Sequence, residues 1–379
     1  MYDVIIIGGG PVGSFAAKVC SSAGLSAAVL EEHSAVGYPV QCAGLLSNSA
    51  FNECEVTEDS VQNTVSGAEI IGSCGSELSF DAGVRKAYVV DRGALDFEMA
   101  ESAASCGAQY MMKTALLKIN PEKRIIHTTK GDMPYKILIA ADGAKSSAAR
   151  SLGIGKSRFI YSGIQADVKL SCDTNHVRLY PNSAPELFAW MIPTSSKTAR
   201  IGLCGSKNTA QLFDEFRKKF SDTCINFVTG TLPIGIREKT YGSGCLLCGD
   251  AAGFIKPTSG GGVYTGVRSA GHAAKAALRA YEKEDFSDEM LSEYETMWKN
   301  DFGSELETGM KALLIRRRLK TDEIDSIINA LNRTDVIDSI ISYGDMDRPS
   351  LILKKLASNP EVLGRIGFIG AKALLRTLI

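Results

Sequence analysis

Short apolar runs separated by glycine-rich turns dominate the start of the chain. Val4–Ile7 is a wholly apolar, β-branched run, and Ser14–Ala23 then has the spacing of a helix closed by Gly24. A second apolar run, Ser26–Leu30, follows and ends at Glu31. This order of elements predicts a βαβ unit, which is typical of a parallel sheet covered by helices.

The rest of the chain alternates between strand-like and helix-like patterns until Phe286, after which it is almost wholly helical. Further strands are predicted at Val65–Gly72, Glu77–Phe80, Tyr135–Ala141, Gly163–Leu170, Val177–Tyr180, Leu187–Ile192, Ala199–Cys204 and Gly244–Cys248. Helices are predicted at Leu95–Cys106, Gln211–Phe220 and Gly262–Glu282. We therefore expect an α/β protein in which strand-rich segments are inserted into a discontinuous nucleotide-binding domain.

The predicted domains follow from this alternation. Residues 1–60, 86–158 and 243–285 would form the nucleotide-binding domain. Residues 61–85 and 159–242 would form a β-rich substrate domain, and residues 286–379 a C-terminal helical domain.

Charge and composition exclude several classes of protein. The chain has 42 Lys and Arg against 43 Asp and Glu, so it lacks the basic excess of a general nucleic-acid binder. No run of about 18 apolar residues predicts a membrane span, and the N-terminus lacks the pattern of a signal peptide. The ten cysteines and four histidines are scattered, without the spacing of a metal site. We expect a cytoplasmic protein with free thiols and no bound metal.

The first glycine-rich turn has the spacing Gly8-x-Gly10-x-x-Gly13, directly between a predicted strand and a predicted helix. Glycines at these positions let the backbone approach a pyrophosphate at the N-terminus of the helix. Glu31 ends the second strand, where a carboxylate accepts hydrogen bonds from a ribose that carries no phosphate. These features predict FAD or NAD as the ligand and leave the choice between them open.

Three further segments, together with this turn, resemble flavoproteins of the glutathione-reductase type 2 class, and within that class the geranylgeranyl reductase family. The segments are Arg92 with Asp96; Ala141-Asp142-Gly143 with Ser146 and Arg150; and Gly249-Asp250-Ala251-Ala252-Gly253 with Pro257 and Gly260-Gly261-Gly262. The resemblance implies FAD as the cofactor. It also implies a Rossmann-like FAD-binding domain with an inserted mixed β-sheet substrate domain and a C-terminal helical region.

Two more segments resemble the reductases specifically. Gly37–Gly44 is similar to the family's Pro-x-x-Cys-Gly segment, which places a cysteine, here Cys42, near the flavin and the substrate. Phe188–Pro193 is similar to its Tyr-x-Trp-x-Phe-Pro motif along the substrate cavity. The chain departs from both patterns, because Ala43 replaces Gly, Phe188 replaces Tyr, Ile192 replaces Phe, and Thr194-Ser195 replaces Lys-Gly. The second segment also resembles the Trp-x-Trp-x-Ile-Pro motif of flavin-dependent halogenases.

The resemblance assigns candidate residues to two groups. The catalytic candidates are Cys42, Phe188 and Trp190. The cofactor-binding candidates are Gly8, Gly10, Pro11, Val12, Gly13, Glu31, Glu32, Cys42, Ala43, Arg92, Asp142, Gly143, Gly249, Asp250, Pro257, Gly260, Gly261 and Gly262. Within them, Asp250 would contact the ribityl chain, and the last three glycines would bring a helix N-terminus towards the isoalloxazine. An inert buried thiol at Cys42 and core packing of the aromatic pair remain alternatives.

The resemblance implies a reductase that saturates isolated C=C bonds of an isoprenoid lipid with hydride from reduced FAD and a proton from Cys42 or water. The chain has no second strand-GxGxxG-helix unit, so the electron donor is open between a ferredoxin-like protein, NAD(P)H and others. A flavin monooxygenase or halogenase and a non-catalytic lipid carrier are the alternative functions.

Two features of the helical tail bear on partners. Arg365, Lys372 and Arg376 fall within about 40° on a helical wheel. They leave a broad apolar surface made of Val362, Leu363, Ile366, Phe368, Leu374, Leu375 and Leu378. Such a helix would lie on a membrane, cap the substrate tunnel or pack on the chain's own domains. Arg316-Arg317-Arg318 with Lys320 is predicted to be a solvated charge run, with docking of an acidic donor or lipid headgroups as the alternative.

Overall fold

The computed structural model describes residues 2–221 and 223–376. The strands, numbered in chain order, are β1 Val4–Ile7, β2 Ala27–Leu30, β3 Leu45–Ser47, β4 Val61–Val65, β5 Gly67–Ile71, β6 Glu77–Asp81, β7 Ala87–Val90, β8 Gln109–Met111, β9 Leu116–Asn120, β10 Ile125–Thr128, β11 Gly131–Pro134, β12 Ile137–Ala140, β13 Phe159–Lys169, β14 His176–Tyr180, β15 Ala189–Ser195, β16 Thr198–Gly205, β17 Cys224–Ile234, β18 Tyr241–Gly242 and β19 Cys245–Leu247.

The α-helices are α1 Pro11–Ser22, α2 Asn48–Glu53, α3 Arg92–Ser105, α4 Ser147–Ser151, α5 Thr209–Arg217, α6 Val263–Glu282, α7 Asp288–Leu291, α8 Glu293–Trp298, α9 Ser304–Arg316, α10 Thr321–Leu331, α11 Thr334–Tyr343, α12 Pro349–Ala357 and α13 Pro360–Leu375. A π-helical segment, Lys299–Gly303, joins α8 to α9.

The main core surrounds a six-stranded sheet with the order β18-β19-β12-β1-β2-β8. Five of its strands are parallel, and β18 alone runs antiparallel, against β19. Every residue of β1, β2, β12 and β19 is buried. Burial on both faces explains why these strands read as uninterrupted apolar runs in the sequence.

A second, seven-stranded sheet has the order β17-β13-β16-β15-β14-β5-β6. It is mixed, because β14 and β5 are parallel while the other neighbours are antiparallel. Two three-stranded sheets, β3-β7-β4 and β11-β10-β9, complete the β structure. The α/β architecture with a mixed sheet and a helical C-terminal region is the predicted fold class.

One predicted strand is wrong in detail. Val65–Gly72 is not continuous, because the backbone N–H groups of Ser66 and Gly67 both donate to the carbonyl oxygen of Asn175, at 2.9 and 3.1 Å. The chain therefore leaves β4 in one sheet and enters β5 in another. The first helix also begins at Pro11, ahead of the predicted Ser14, as proline is favoured at the first helical position.

The helical region packs on the second sheet. Ile324 and Ile328 of α10 form an apolar cluster with Leu78 of β6, and the Asp325 carboxylate accepts a hydrogen bond from the Ser76 hydroxyl at 2.6 Å. None of the helices in the described ranges is long and apolar enough to cross a membrane.

The tail helix α13 packs on the chain's own helices. Arg376 donates to both carboxylate oxygens of Glu323, at 2.7 and 2.6 Å, and Val362 is buried. Leu363 and Phe368 nevertheless remain exposed. Of the predicted apolar face, Leu378 and the side chains of Leu374 and Leu375 lie outside the described residues.

The prediction of a solvated charge run at Arg316-Arg317-Arg318 is wrong for its first two members. Arg316 donates to the carbonyl oxygens of four residues: Pro181, Ala184, Pro185 and Leu187. Arg317 donates to Glu186 at 2.9 Å and lies over the ring of Phe159. Carbonyl groups of a loop thus replace water around the Arg316 guanidinium, and the Glu186 carboxylate and the Phe159 ring do so around that of Arg317.

Candidate functional site

The first glycine-rich turn forms an anion-binding cradle at the start of α1. Gly8 has φ +98°, and a Cβ on Gly13 would overlap the carbonyl oxygen of Gly8, so both positions require glycine. A Cβ on Gly10, by contrast, would meet no protein atom within 4 Å. Gly10 is the N-cap of α1 and gives it no side-chain acceptor, while Pro11 is the first helical residue. Open space therefore faces an uncapped helix N-terminus, as an anionic ligand requires.

Glu31 is anchored beside this cradle. Its carboxylate accepts hydrogen bonds from the backbone N–H of Gly9 at 2.7 Å and of His33 at 2.8 Å. These two bonds fix the carboxylate at the carboxyl end of β2. The adjacent Glu32 is exposed instead, and its carboxylate lies 3.8 Å from the His33 ring.

Asp142 and Gly143 lie at the end of β12, the strand beside β1. One Asp142 oxygen accepts from the Ala148 N–H at 3.0 Å, whereas its Oδ1 is buried without a partner. Burial raises the pKa of Asp142. Gly143 has φ +70°, and a Cβ there would meet nothing within 4 Å. An orphaned carboxylate oxygen beside open space marks a position where a ligand donor is missing.

The second glycine-rich segment follows β19 and leads into α6. A Cβ on Gly249 would lie 3.0 Å from Val12, so the two glycine segments pack directly on each other. Gly262 is the N-cap of α6 and provides no side-chain acceptor. The Oδ1 of Asp250 lies 2.8 Å from the position a Cβ on Gly262 would take. A carboxylate and a second uncapped helix N-terminus therefore face the same space.

A buried positive charge lies close to Asp250. Burial raises its pKa to about 6, and the positive charge of Arg92 partly opposes this shift. Arg92 itself is buried at the start of α3 and donates to Asp96 at 2.8 Å. Burial alone would lower the pKa of Arg92, but Asp96 and Cys42 raise it overall. The charge of Arg92 thus acts on both the second glycine segment and the Cys42 segment.

The Cys42 segment crosses one face of the seven-stranded sheet. The Gln165 side-chain amide donates to the Cys42 carbonyl oxygen at 2.9 Å, and Arg200 donates to that of Ala43 at the same distance. The Sγ of Cys42 accepts from the Gly44 N–H at 3.4 Å. Gln165 and Arg200 were not predicted. In the sequence, each is a polar residue within a predicted strand. The alternation of polar and apolar residues does not show whether such a side chain faces the site or the solvent.

Phe188 and Trp190 lie on that same face. Their rings are 6.2 Å apart at 67°, an edge-to-face pair. They share an apolar cluster with Ile255, which lies in the second glycine segment two residues before Pro257, and with Leu313 of α9. A Cβ on Gly202 would clash with the Trp190 ring, so the indole lies flat over the β16 backbone.

Two polar atoms on this face lack partners. The Trp190 Nε1 and the Gln165 Oε1 are both buried without a hydrogen bond. One is a donor and the other an acceptor. An apolar wall with an unpaired donor and acceptor is suited to a mostly apolar ligand that carries a few polar groups.

Pro257 and the glycines after it form the remaining wall. A Cβ on Gly309 of α9 would lie 3.0 Å from the Pro257 ring, so α9 rests on this loop. Gly260 has φ +71°, and the loop leads through Gly261 to the N-cap Gly262. The candidate cofactor residues therefore line one connected region between the two sheets, with Glu32 at its margin.

These features fit a dinucleotide flavin. Two uncapped helix N-termini suit the pyrophosphate and the electron-rich edge of the ring system, and the orphaned Asp142 oxygen and Asp250 suit hydroxyl donors. In the described part of the chain, no group of three or more His, Cys, Asp or Glu side chains is arranged to hold a metal ion.

Comparison with known proteins decides the family. Residues 1–225 match the FAD binding domain family. The chain is 30% identical to digeranylgeranylglycerophospholipid reductase 2 of Methanothermobacter thermautotrophicus, over 88% of this chain and 93% of the relative. It is 35% identical to an uncharacterized protein of Methanocaldococcus jannaschii, over 96% and 97% of the two chains.

The chain belongs to the geranylgeranyl reductase family. The crystal structure of a geranylgeranyl bacteriochlorophyll reductase-like protein from Thermoplasma acidophilum superposes on this family member with a TM-score of 0.86. That structure is 27% identical and covers 97% of this chain and 99% of its own. FAD is therefore the cofactor of this family member, as predicted. A flavin-dependent halogenase, at 16% identity and a TM-score of 0.71, shares the fold alone.

Proposed function

We propose that the chain is an FAD-dependent reductase that saturates the geranylgeranyl C=C bonds of digeranylgeranylglycerophospholipids. Relatives named digeranylgeranylglycerophospholipid reductase match it at 28 to 30% identity. The observation that carries the proposal is the attachment of the Cys42 segment, through Gln165 and Arg200, to the face that bears Phe188 and Trp190. A thiol and an aromatic-lined apolar wall then share one space.

Different candidate residues would bind different parts of FAD. Gly8, Gly10 and Gly13 would receive the pyrophosphate, and Glu31 the ribose. Asp250 would accept a hydrogen bond from the ribityl chain, and Gly260 to Gly262 would face the isoalloxazine. Bound and reduced, FAD supplies a hydride to one carbon of the alkene.

The chain's own residues would orient the lipid and deliver the proton. An isolated alkene has no carbonyl group to polarise, so positioning in a dry apolar space must supply much of the catalysis. Phe188, Trp190 and Leu313 would hold the isoprenoid chain. Cys42 Sγ would give its proton to the second alkene carbon, and the resulting thiolate would regain a proton from water.

Single-turnover reduction tests this function. The holoenzyme is photoreduced anaerobically and mixed with a digeranylgeranylglycerophospholipid, and flavin oxidation is followed beside the mass of the lipid. We expect the flavin to be oxidised as the lipid gains two hydrogen atoms per bond. Reduced flavin that is not oxidised when the lipid is added would indicate a carrier. Flavin oxidation that requires O₂ would indicate a monooxygenase or halogenase.

The Cys42→Ser variant tests the proton donor. Because a hydroxyl is a much weaker acid than a thiol, we expect lipid saturation to slow by about 10²-fold, with the flavin still bound. Cys106→Ser, at the end of α3, is the matched control. Equal rates in the two variants would assign the proton to water instead.

The partners beyond the lipid form part of the proposal. The chain would meet its substrate at the cytoplasmic face of the membrane through exposed residues of α13, among them Phe368. A ferredoxin-like protein or NAD(P)H would reduce the flavin. Anaerobic mixing with each donor, followed at the flavin absorbance, identifies which of them acts.

A further inference from the structure

A buried ion pair joins residues 256–262, which we call the flavin loop, to the helical region. The ammonium of Lys256 contacts the carboxylate of Asp347 and donates to the Met346 carbonyl oxygen at 3.1 Å. The Lys256 side chain is 9% exposed and that of Asp347 only 1%. Lys256 comes directly before Pro257, whereas Asp347 lies in the loop between α11 and α12.

The same carboxylate binds β3, the strand that follows the Cys42 segment. The Ser47 hydroxyl donates to Asp347 and also caps α2 by accepting from the Ala50 N–H at 2.9 Å. Ser47 ends β3, five residues beyond Cys42. Asp347 therefore binds both the flavin loop and the strand that follows the Cys42 segment.

Hydrogen bonds within the flavin loop fix the position of the Lys256 ammonium. The Lys256 N–H donates to the Gly261 carbonyl oxygen at 3.0 Å, and the Gly260 N–H donates back to Lys256 at 2.9 Å. The Lys256 Nζ lies 3.4 Å from the position a Cβ on Gly261 would take. The ammonium is thus held one residue before Gly262, the N-cap of α6.

A buried ammonium near the N-terminus of α6 is unfavourable unless a negatively charged group lies close to it. The N-terminus of α6 already carries a partial positive charge, and burial removes the water that would solvate an ammonium. Asp347 supplies one negative charge. A ligand that becomes negative in front of the loop would supply a second, and the two-electron reduction of a flavin does so when only one proton is taken up.

We propose that Lys256 tunes the reduction potential of the bound flavin and that Asp347 sets how much of its charge the flavin experiences. The proposal rests on the placement of Gly260 to Gly262 at the isoalloxazine. Lys256 is a positioning charge that favours the reduced cofactor, and the helical region controls it through Asp347. A pair that merely tethers the helical region would affect stability and leave the potential unchanged.

The test measures the midpoint potential of the bound flavin in the holoenzyme, by anaerobic equilibration with a reference dye and without lipid. For Lys256→Met we expect reduced flavin to lose about tenfold in affinity relative to oxidised flavin, which lowers the potential by about 30 mV for a two-electron couple. Asp347→Asn should shift the potential in the opposite direction, because it leaves the ammonium uncompensated. Lys256→Arg, which keeps the charge, should retain most of the original potential.

Arg279→Met is the matched control, since it removes one positive charge paired with Glu293 at the far end of α6. Shifts of the same sign in Lys256→Met and Asp347→Asn, or shifts no larger than in the control, would overturn the proposal. If Lys256→Met does not fold, Lys256→Gln and Asp347→Asn provide the same comparison of sign. The potential is measured without lipid, so it remains interpretable even if the proposed lipid reduction fails.

Discussion

Arg316, at the end of α9, donates to the carbonyl oxygen of Leu187 at 2.9 Å, one residue before Phe188. The same guanidinium also binds the carbonyl groups of Ala184 and Pro185, at 3.1 and 3.0 Å. Burial lowers its pKa to about 10. The last turn of a helix in the C-terminal region therefore holds the loop that leads into the aromatic pair.

Replacing Arg316 should damage the substrate side of the site and spare the cofactor side. Arg316→Gln leaves several buried carbonyl groups unpaired, so we expect the free energy of unfolding to fall by about 2 to 3 kcal/mol. The KM for lipid should rise severalfold as Phe188 loses its fixed position, whereas the Kd for FAD should stay unchanged. Urea unfolding, steady-state kinetics and FAD titration measure the three quantities.

Arg318→Gln is the control, because Arg318 is a nearby arginine whose side chain is exposed. Arg316→Lys keeps the charge but not the planar fork, so it should fall between the wild type and Arg316→Gln. Equal KM values for Arg316→Gln and Arg318→Gln would show that the loop does not depend on this contact.

Two glycines of the first cradle should respond differently to alanine. A Cβ on Gly13 overlaps the Gly8 carbonyl oxygen, so Gly13→Ala should destabilise even the cofactor-free protein. A Cβ on Gly10 meets only empty space, so Gly10→Ala should fold normally and yet bind FAD at least tenfold more weakly, because the methyl group occupies the path of the pyrophosphate. Thermal unfolding of the apo-protein and FAD titration separate the two effects.

Gly364→Ala in α13 is the control for Gly10→Ala, because a Cβ there also meets nothing within 4 Å. It should leave FAD binding unchanged. Normal FAD affinity in Gly10→Ala would mean that the pyrophosphate does not pass this glycine.

Asp250 should make FAD binding depend on pH. Burial raises its pKa from 3.8 to about 6 in the cofactor-free protein. The folded state then binds the proton more tightly than the unfolded state, so this group lowers the free energy of unfolding as the pH rises from about 4 to about 6. A ribityl hydroxyl donates a stronger hydrogen bond to the ionised carboxylate than to the neutral acid, so the affinity for FAD should increase, by up to about tenfold, between pH 5 and pH 7.

Fluorescence titration of FAD across this range measures the effect. Asp250→Asn removes the titrating group and should bind FAD more weakly, with little dependence on pH. A wild-type affinity that stays constant from pH 5 to pH 7 would contradict the assignment of Asp250 to the ribityl chain.

Local patterns in the sequence predicted four strands of the nucleotide-binding sheet, β1, β2, β12 and β19, and the first glycine segment, whereas the second glycine segment was identified by the family resemblance. Buried parallel strands leave continuous apolar runs, and the glycine spacings follow from backbone contacts such as that between Gly13 and Gly8. The break at Ser66 was missed because it depends on Asn175, which lies far away in the chain. The roles of Gln165, Arg316 and Lys256 were missed for the same reason, since their partners are brought close only by the tertiary fold.

The exposed face of α13 should bind anionic membranes. Phe368 is 74% exposed. Arg365 lies three residues before it and Lys372 four residues after it, so both lie next to it on the helix surface. An aromatic ring between two cations is suited to insertion among anionic headgroups. Phe368→Ser should reduce binding to phosphatidylglycerol vesicles about tenfold, and Arg365→Gln with Lys372→Gln should weaken its dependence on salt.

Cosedimentation with vesicles at low and high salt measures both effects. Phe227→Ser is the control, because Phe227 is a comparably exposed phenylalanine on β17. Arg376 lies near the two cations on the helical wheel but is engaged by Glu323, so Arg376→Gln should loosen α13 from α10 more than it changes the charge presented to lipid. If Phe368→Ser and Phe227→Ser bind vesicles equally well, the lipid substrate must reach Cys42 by a route that does not involve this helix.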